Sequence, residues 1–157
     1  MGAVTDQTES GYAIGQAIRE VLRDSPDVHR ALARRLGIGV TDVLALDHVT
    51  FSPTPLGVVE LGHLLGIRSA SATVLVERLV DTGHLVKVPH GQDRRRLALH
   101  PTEHARAEVT AALAPLVAEL RGITDALDAP TAAAVLAFLQ QVRDALARFA
   151  HQPQPSD

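Results

Sequence analysis

The sequence contains no cysteine and no tryptophan, and aromatic residues make up only 3% of its 157 positions. Without thiols, disulfides, iron–sulfur clusters, thiolate zinc sites and thiol redox sensing are excluded together. So few aromatics exclude a stacking platform for single-stranded nucleic acid. No stretch approaches the ~20 apolar residues of a membrane span, and the opening MGAVTDQTES lacks the basic start and apolar run of a signal peptide. A cytoplasmic location with no membrane partner is therefore expected. Neither charge dominates: the formal net charge is −3, so no global basic field draws in polyanions. Any contact with nucleic acid must come from a local patch. The common enzyme signatures are missing as well. The glycines of LGIGV and GHLLG do not form a phosphate-binding loop, no His-Glu-x-x-His occurs, and Ser69 and Ser71 have no base at fixed spacing. Neither an enzymatic activity nor a cofactor is expected.

What is present is a 46% hydrophobic chain of a length that suits one domain, patterned mainly at helical spacing. Ile14, Ile18, Val21 and Leu22 form a stripe that Val28, Leu32 and Leu36 continue beyond Ser25-Pro26. This is either one helix kinked at Pro26 or two helices with Ser25 capping the second, stopped in both cases at Gly37. Thr41 is placed to cap a short helix through Val49. Thr54-Pro55 opens a third helix ending near Gly66, with Val58, Leu61, Leu64 and Leu65 as its buried face. Ser69 then caps a fourth helix to about Asp81, whose apolar positions are Ala72, Leu75, Val76 and Leu79, and Gly83 stops it.

There the period changes. LVKVP (85–89) and RLALH (96–100) alternate like strands around the polar turn HGQDR, the pattern of a hairpin. After Pro101-Thr102 the helical period returns through Ala105, Val109, Leu113, Leu116, Val117 and Leu120, with Pro115 a kink. Asp128-Ala129-Pro130 breaks it. A last helix from about Thr131 carries Val135, Leu136, Leu139, Val142 and Leu146. Residues 1–10 and 151–157 read as disordered tails.

Two short helices joined by a GIR turn, followed by a hairpin with a charged tip, is the order of a winged helix-turn-helix. A helix fits the major groove of duplex DNA while a thin hairpin reaches the adjoining minor groove. On the fourth helix Ser71, Val74 and Arg78 lie opposite the apolar stripe, and Arg68, Ser69 and Thr73 crowd its N-terminal end, where the helix dipole favours phosphate. At the hairpin tip Arg94, Arg95 and Arg96 follow one another. Three adjacent arginines repel in solution, but a phosphate-lined groove supplies their counter-charge. Arg95 suits the minor groove braced by Asp93, with Arg94 and Arg96 near phosphates. Thr54 and the tip residues His90 and Gln92 complete the candidate contacts.

The segment LGHLLGIRSASATVLVERLVDTGHLVKVPHGQDRRRLALHPTEHARA, with its flanking helices, resembles the MarR family of bacterial transcription regulators over nearly the whole chain. The specific part is the wing: the family's Asp-x-Arg and the strand ending before a new helix fall on Asp93, Arg95 and Pro101-Thr102. Proline replaces the usual leucine, and His104 stands where glycine is common. The resemblance implies a mainly α fold: a winged helix-turn-helix lobe over about 41–100, with a two-stranded wing, and long dimerisation helices over about 12–37 and 103–149. It also implies a homodimer, a pseudo-palindromic double-stranded DNA operator and release by a small anionic or aromatic effector. Arg34, Asp47 and His48 are the candidate effector residues, although Asp47 and His48 read first as a buried structural hydrogen bond.

Two other readings remain in play. One is a winged-helix protein-interaction module. The other is a metal-responsive regulator using His84, His90, His100 and His104, with Asp93 as an oxygen donor. Spacing argues against the metal, because His100 and His104 straddle the break at Pro101 and share no helix face.

Overall fold

The computed structural model describes residues 2–89, 97–150 and 152. Six helices and one hairpin follow in order: α1 (Gly2–Leu36), α2 (Val40–Phe51), α3 (Val58–Leu64), α4 (Ser69–Asp81), β1 (Leu85–Pro89), β2 (Leu97–Pro101), α5 (Glu103–Asp125) and α6 (Ala129–Ala150). The winged helix-turn-helix order and the two-stranded wing are as the pattern predicts. The chain divides into two compact units, one up to Leu113 and one from Ala114, with the division inside α5. Among the described residues no single helix is long and apolar enough to cross a membrane.

Several boundaries differ from the sequence reading, each for a physical reason. Residues 2–10, expected as a tail, continue α1. This stretch contains no proline, so a helix nucleated downstream propagates through it, and α1 also runs unbroken past Pro26. The N-cap of α2 is Gly39, not Thr41, because the Asp42 carboxylate reaches back and accepts the Gly39 N–H at 3.0 Å. Thr54-Pro55 precedes α3 without opening it. The Leu99 N–H donates to the Leu56 carbonyl at 2.8 Å, so this stretch adds a bridge to the edge of the hairpin and the helix waits for Gly57. Arg68, not Ser69, is the N-cap of α4. Strand β2 runs over Leu97–Pro101 among the described residues, Arg96 lying outside them, and α6 begins at Ala129. The Asp128 carboxylate accepts the Thr131 N–H at 2.9 Å, and this hydrogen bonding holds its pKa below the ordinary value. Of the tail 151–157, all but Gln152 lies outside the described residues.

The core of the first unit is built from α2, α3, α4 and the hairpin. Leu61, Val76, Leu79, Leu85 and Leu99 are almost entirely removed from water, with Ala45, Leu46, Leu56 and Leu75 around them. All four predicted inward positions of α4 are buried. On α3 the buried face is narrower than expected: Leu61 is covered, Val58 and Leu65 are partly so, and Leu64 is exposed. Seven residues make only two turns, and Leu64 points off the stripe. The hairpin is antiparallel, pairing Leu85 with Pro101 and Pro89 with Leu97. Gly83, at φ +75°, turns the chain out of α4 into β1, and the Gly83 and His84 N–H groups close the helix on the Val80 and Leu79 carbonyls.

The close crossing of α3 and α4 depends on Gly62. A Cβ there would stand 3.0 Å from the Ala72 Cβ and 3.5 Å from the Ile67 carbonyl. Gly62→Val should therefore force the two helices apart at a cost of about 1–3 kcal/mol. Urea unfolding should show a lower midpoint at unchanged slope; an unshifted midpoint would mean that the crossing does not set the packing.

Candidate nucleic-acid interface

Helix α4 has two faces because 3.6 residues make a turn. With Ala72, Leu75, Val76 and Leu79 turned into the core, Ser71 and Val74 are forced outward; both are exposed, Val74 at 64%. An exposed valine in the middle of a helix gains nothing from water, so its position is informative only together with its surroundings. Those surroundings are an open groove of about 460 Å³ lined by Thr41 from α2, Ile67 from the turn, and Ala70, Ser71, Val74 and Arg78 from α4.

The N-terminal end of α4 is exposed at Arg68, Ser69, Ala70 and Ser71, and no side chain caps its N–H groups. Three such groups aimed at solvent beside an arginine favour an anion. Thr73 is exposed, but its hydroxyl donates back to the Ser69 carbonyl at 3.0 Å. Thr54 is exposed between α2 and α3, and its carbonyl accepts the Ser52 hydroxyl at 2.6 Å.

Arg78 is not a free cation on this face. Its Nη2 meets Asp42 Oδ1 at 2.5 Å; the Asp42 side chain is 5% exposed and that of Arg78 52%. The hydrogen bond that Arg78 donates to Asp42, together with the charge of that carboxylate, raises the Arg78 pKa above the ordinary value. Asp42 therefore does two things: it closes the start of α2 through Gly39 and ties α2 to α4 through Arg78. Lys87 of β1 pairs with Glu77 of α4, which fastens the hairpin to the C-terminal half of the same helix, one residue from Arg78.

The tip residues His90, Gln92, Asp93, Arg94, Arg95 and Arg96 lie outside the described residues. Asp47 is exposed and His48 half-buried, so the buried hydrogen bond expected of them is absent; the buried carboxylate of α2 is Asp42, one turn earlier. Arg34 is exposed in the last turn of α1. Of the candidate histidines, His84 and His104 come together, and they do so with Glu108, which the sequence reading did not single out. His100 instead stands in β2 opposite Val86. Asp42 was legible as an acid three residues after a glycine cap, and Glu108 as the fourth residue after His104.

The MarR family model matches residues 36–96. The uncharacterised HTH-type transcriptional regulator YcgE of Bacillus subtilis is 31% identical over 88 residues, which is 56% of each chain. This chain thus spans little more than half the length of that curated relative. Among solved structures, the transcriptional regulator Tm0710 of Thermotoga maritima is similar with a TM-score of 0.62 at 24% identity, covering 90% of this chain and 99% of that one. FabT of Streptococcus pneumoniae, solved in complex with DNA, has a TM-score of 0.62 at 17% identity, covering 88% and 98%. These two likenesses concern the fold. The likeness to the MarR family thus rests on the winged-helix segment, residues 36–96.

The Asp42–Arg78 tie makes a quantitative prediction. Arg78→Ala leaves a buried carboxylate without its cation, at about 1–3 kcal/mol, less than for a fully buried pair because the guanidinium is half in water. In an Asp42→Asn background the same change should cost at least ~1 kcal/mol less. Additive costs in this double-mutant cycle, measured by denaturant unfolding, would show that the pair does not couple α2 to α4.

Proposed function

We propose that this chain is a MarR-type, sequence-specific, double-stranded DNA-binding transcription regulator that acts as a homodimer on a pseudo-palindromic operator. It is a regulator and not an enzyme. The observation that carries the reading is the outward face of α4: Ser71 and Val74 exposed on a helix whose other face is core, beside a start whose N–H groups are open and flanked by Arg68. In a major groove Ser71 hydrogen-bonds a base edge, Val74 meets a thymine methyl, and Arg68 with the helix start holds a phosphate. Asp93 and Arg94 to Arg96 enter on the sequence alone, Arg95 as the minor-groove reader and its neighbours as phosphate contacts. His90, Gln92 and Thr54 are flanking contacts. Arg78 positions α4 more than it reads DNA, because its guanidinium is engaged by Asp42.

The dimer is supported by apolar surface that one chain leaves open. On α6 Leu136, Leu139 and Phe149 are 58%, 54% and 76% exposed, and on α1 Tyr12 and Val21 are 65% and 71% exposed. Stripes of this extent on long helices call for a second copy. Release by a small anionic or aromatic effector near Arg34, Asp47 and His48 is the further part of the reading, supported by the exposure of Arg34 and Asp47 and by the family resemblance. Such a ligand acts only by binding the non-binding arrangement more tightly.

Val74→Gln should change which bases are preferred, by ~1–3 kcal/mol per affected pair. Arg95→Ala should weaken binding most on A·T-rich flanks, where a narrow minor groove attracts arginine. Affinities of both variants for a panel of duplexes at several salt concentrations test this. Equal weakening on every sequence, or none with the dimer intact, would remove base reading from α4 and the wing.

A further inference from the structure

Where α4 gives way to β1, one histidine is buried with half of its chemistry unanswered. The His84 side chain is 7% exposed. Its Nδ1 lies 2.8 Å from the Thr82 hydroxyl. That hydroxyl has a single proton, which it donates to the Arg78 carbonyl at 2.9 Å. Thr82 Oγ1 is therefore the acceptor toward His84, and Nδ1 carries the ring's N–H. In the neutral imidazole this leaves Nε2 with a bare lone pair. Nε2 has no hydrogen-bond partner, yet Glu108 Oε2 stands 3.2 Å from it, off the line a hydrogen bond needs. A lone pair facing a carboxylate oxygen is acceptor against acceptor, an arrangement that a cation between them relieves.

A third donor is already there. His104 Nε2 lies 3.3 Å from the same Glu108 oxygen, and the two imidazole rings are 5.8 Å apart between centroids. One donor atom from each of the three residues lies within 4.8 Å of the others. Ligands at the ~2.0–2.2 Å typical of zinc stand roughly 3.4 Å apart in a tetrahedron. Two of the three edges have that length, and the third closes by turning His104, whose side chain is 60% exposed and free to rotate. The Thr82 bond to Nδ1 is the outer contact that fixes the tautomer and ring orientation of a metal-bound histidine.

We propose that His84 Nε2, His104 Nε2 and the Glu108 carboxylate bind a divalent first-row transition ion. Two imidazoles and one carboxylate select zinc and its neighbours over magnesium or calcium and leave a fourth position for water or an added ligand. The ion joins the root of the wing to the first turns of α5, beside the bonds from Thr102 to the Gly83 and His84 carbonyls. The spacing argument against a metal concerned His100 and His104; the pair the fold brings together is His84 and His104.

The site is tested without DNA, on the tag-free full chain, by calorimetric titration with Zn²⁺. One ion should bind per chain. His104→Ala and Glu108→Gln, chosen because neither side chain belongs to the core, should each weaken binding at least ~10-fold with circular dichroism unchanged. His63→Ala, on exposed α3 surface, should bind like the parent. In imidazole ¹⁵N spectra, Zn²⁺ should move His84 Nε2 while Nδ1 keeps its proton. No stoichiometric binding by the parent, parent-like binding by both variants, or a spectral change confined to other histidines would each overturn the assignment.

Discussion

Helix α4 is constrained from within. Four of its side chains, Ala72, Leu75, Val76 and Leu79, are buried in the only extensive core among the described residues, and none of them can rotate out without exposing apolar surface. A helix pinned on one face has no freedom on the other, so the core itself decides that Ser71 and Val74 look outward. The remaining contacts refine this placement. Gly62 lets α3 approach closely, Asp42 holds α2 against the helix through Arg78, and Glu77 ties in Lys87 of the hairpin. A surface meant to match a groove needs such rigidity, because each loose degree of freedom in the free protein is lost again on binding.

Charge is used locally. With a net charge of −3 the chain as a whole does not favour polyanions, so the proposed contact with DNA relies on the open start of α4 and, from the sequence alone, on the arginines of residues 94–96. Arg78, which the helical pattern places on the same face, is partly withdrawn from that role by Asp42. Arg78 thereby serves the packing of α2 against α4.

Most of the architecture was legible in the sequence because it is written in periodicity. The inward face of α4, the switch from a helical to an alternating period at Leu85, and the stops at Gly37 and Gly83 follow from local rules. Local rules failed where a distant partner decided the outcome. Leu56 belongs to a bridge with Leu99, which delays α3, and Asp42 overrides Thr41 as the group that closes α2. His84, His104 and Glu108 meet only because β1 and α5 start side by side. No spacing along the chain announces this, though Glu108 stands one helical turn after His104.

The central claim is that α4 reads sequence in a two-fold symmetric assembly. Selection of bound duplexes from a random library, followed by sequencing, tests it most directly. The account predicts an enriched sequence with two inverted half-sites centred about 10–10.5 base pairs apart, one helical turn. A bound pool with no shared sequence, or a single half-site without an inverted partner, would contradict it.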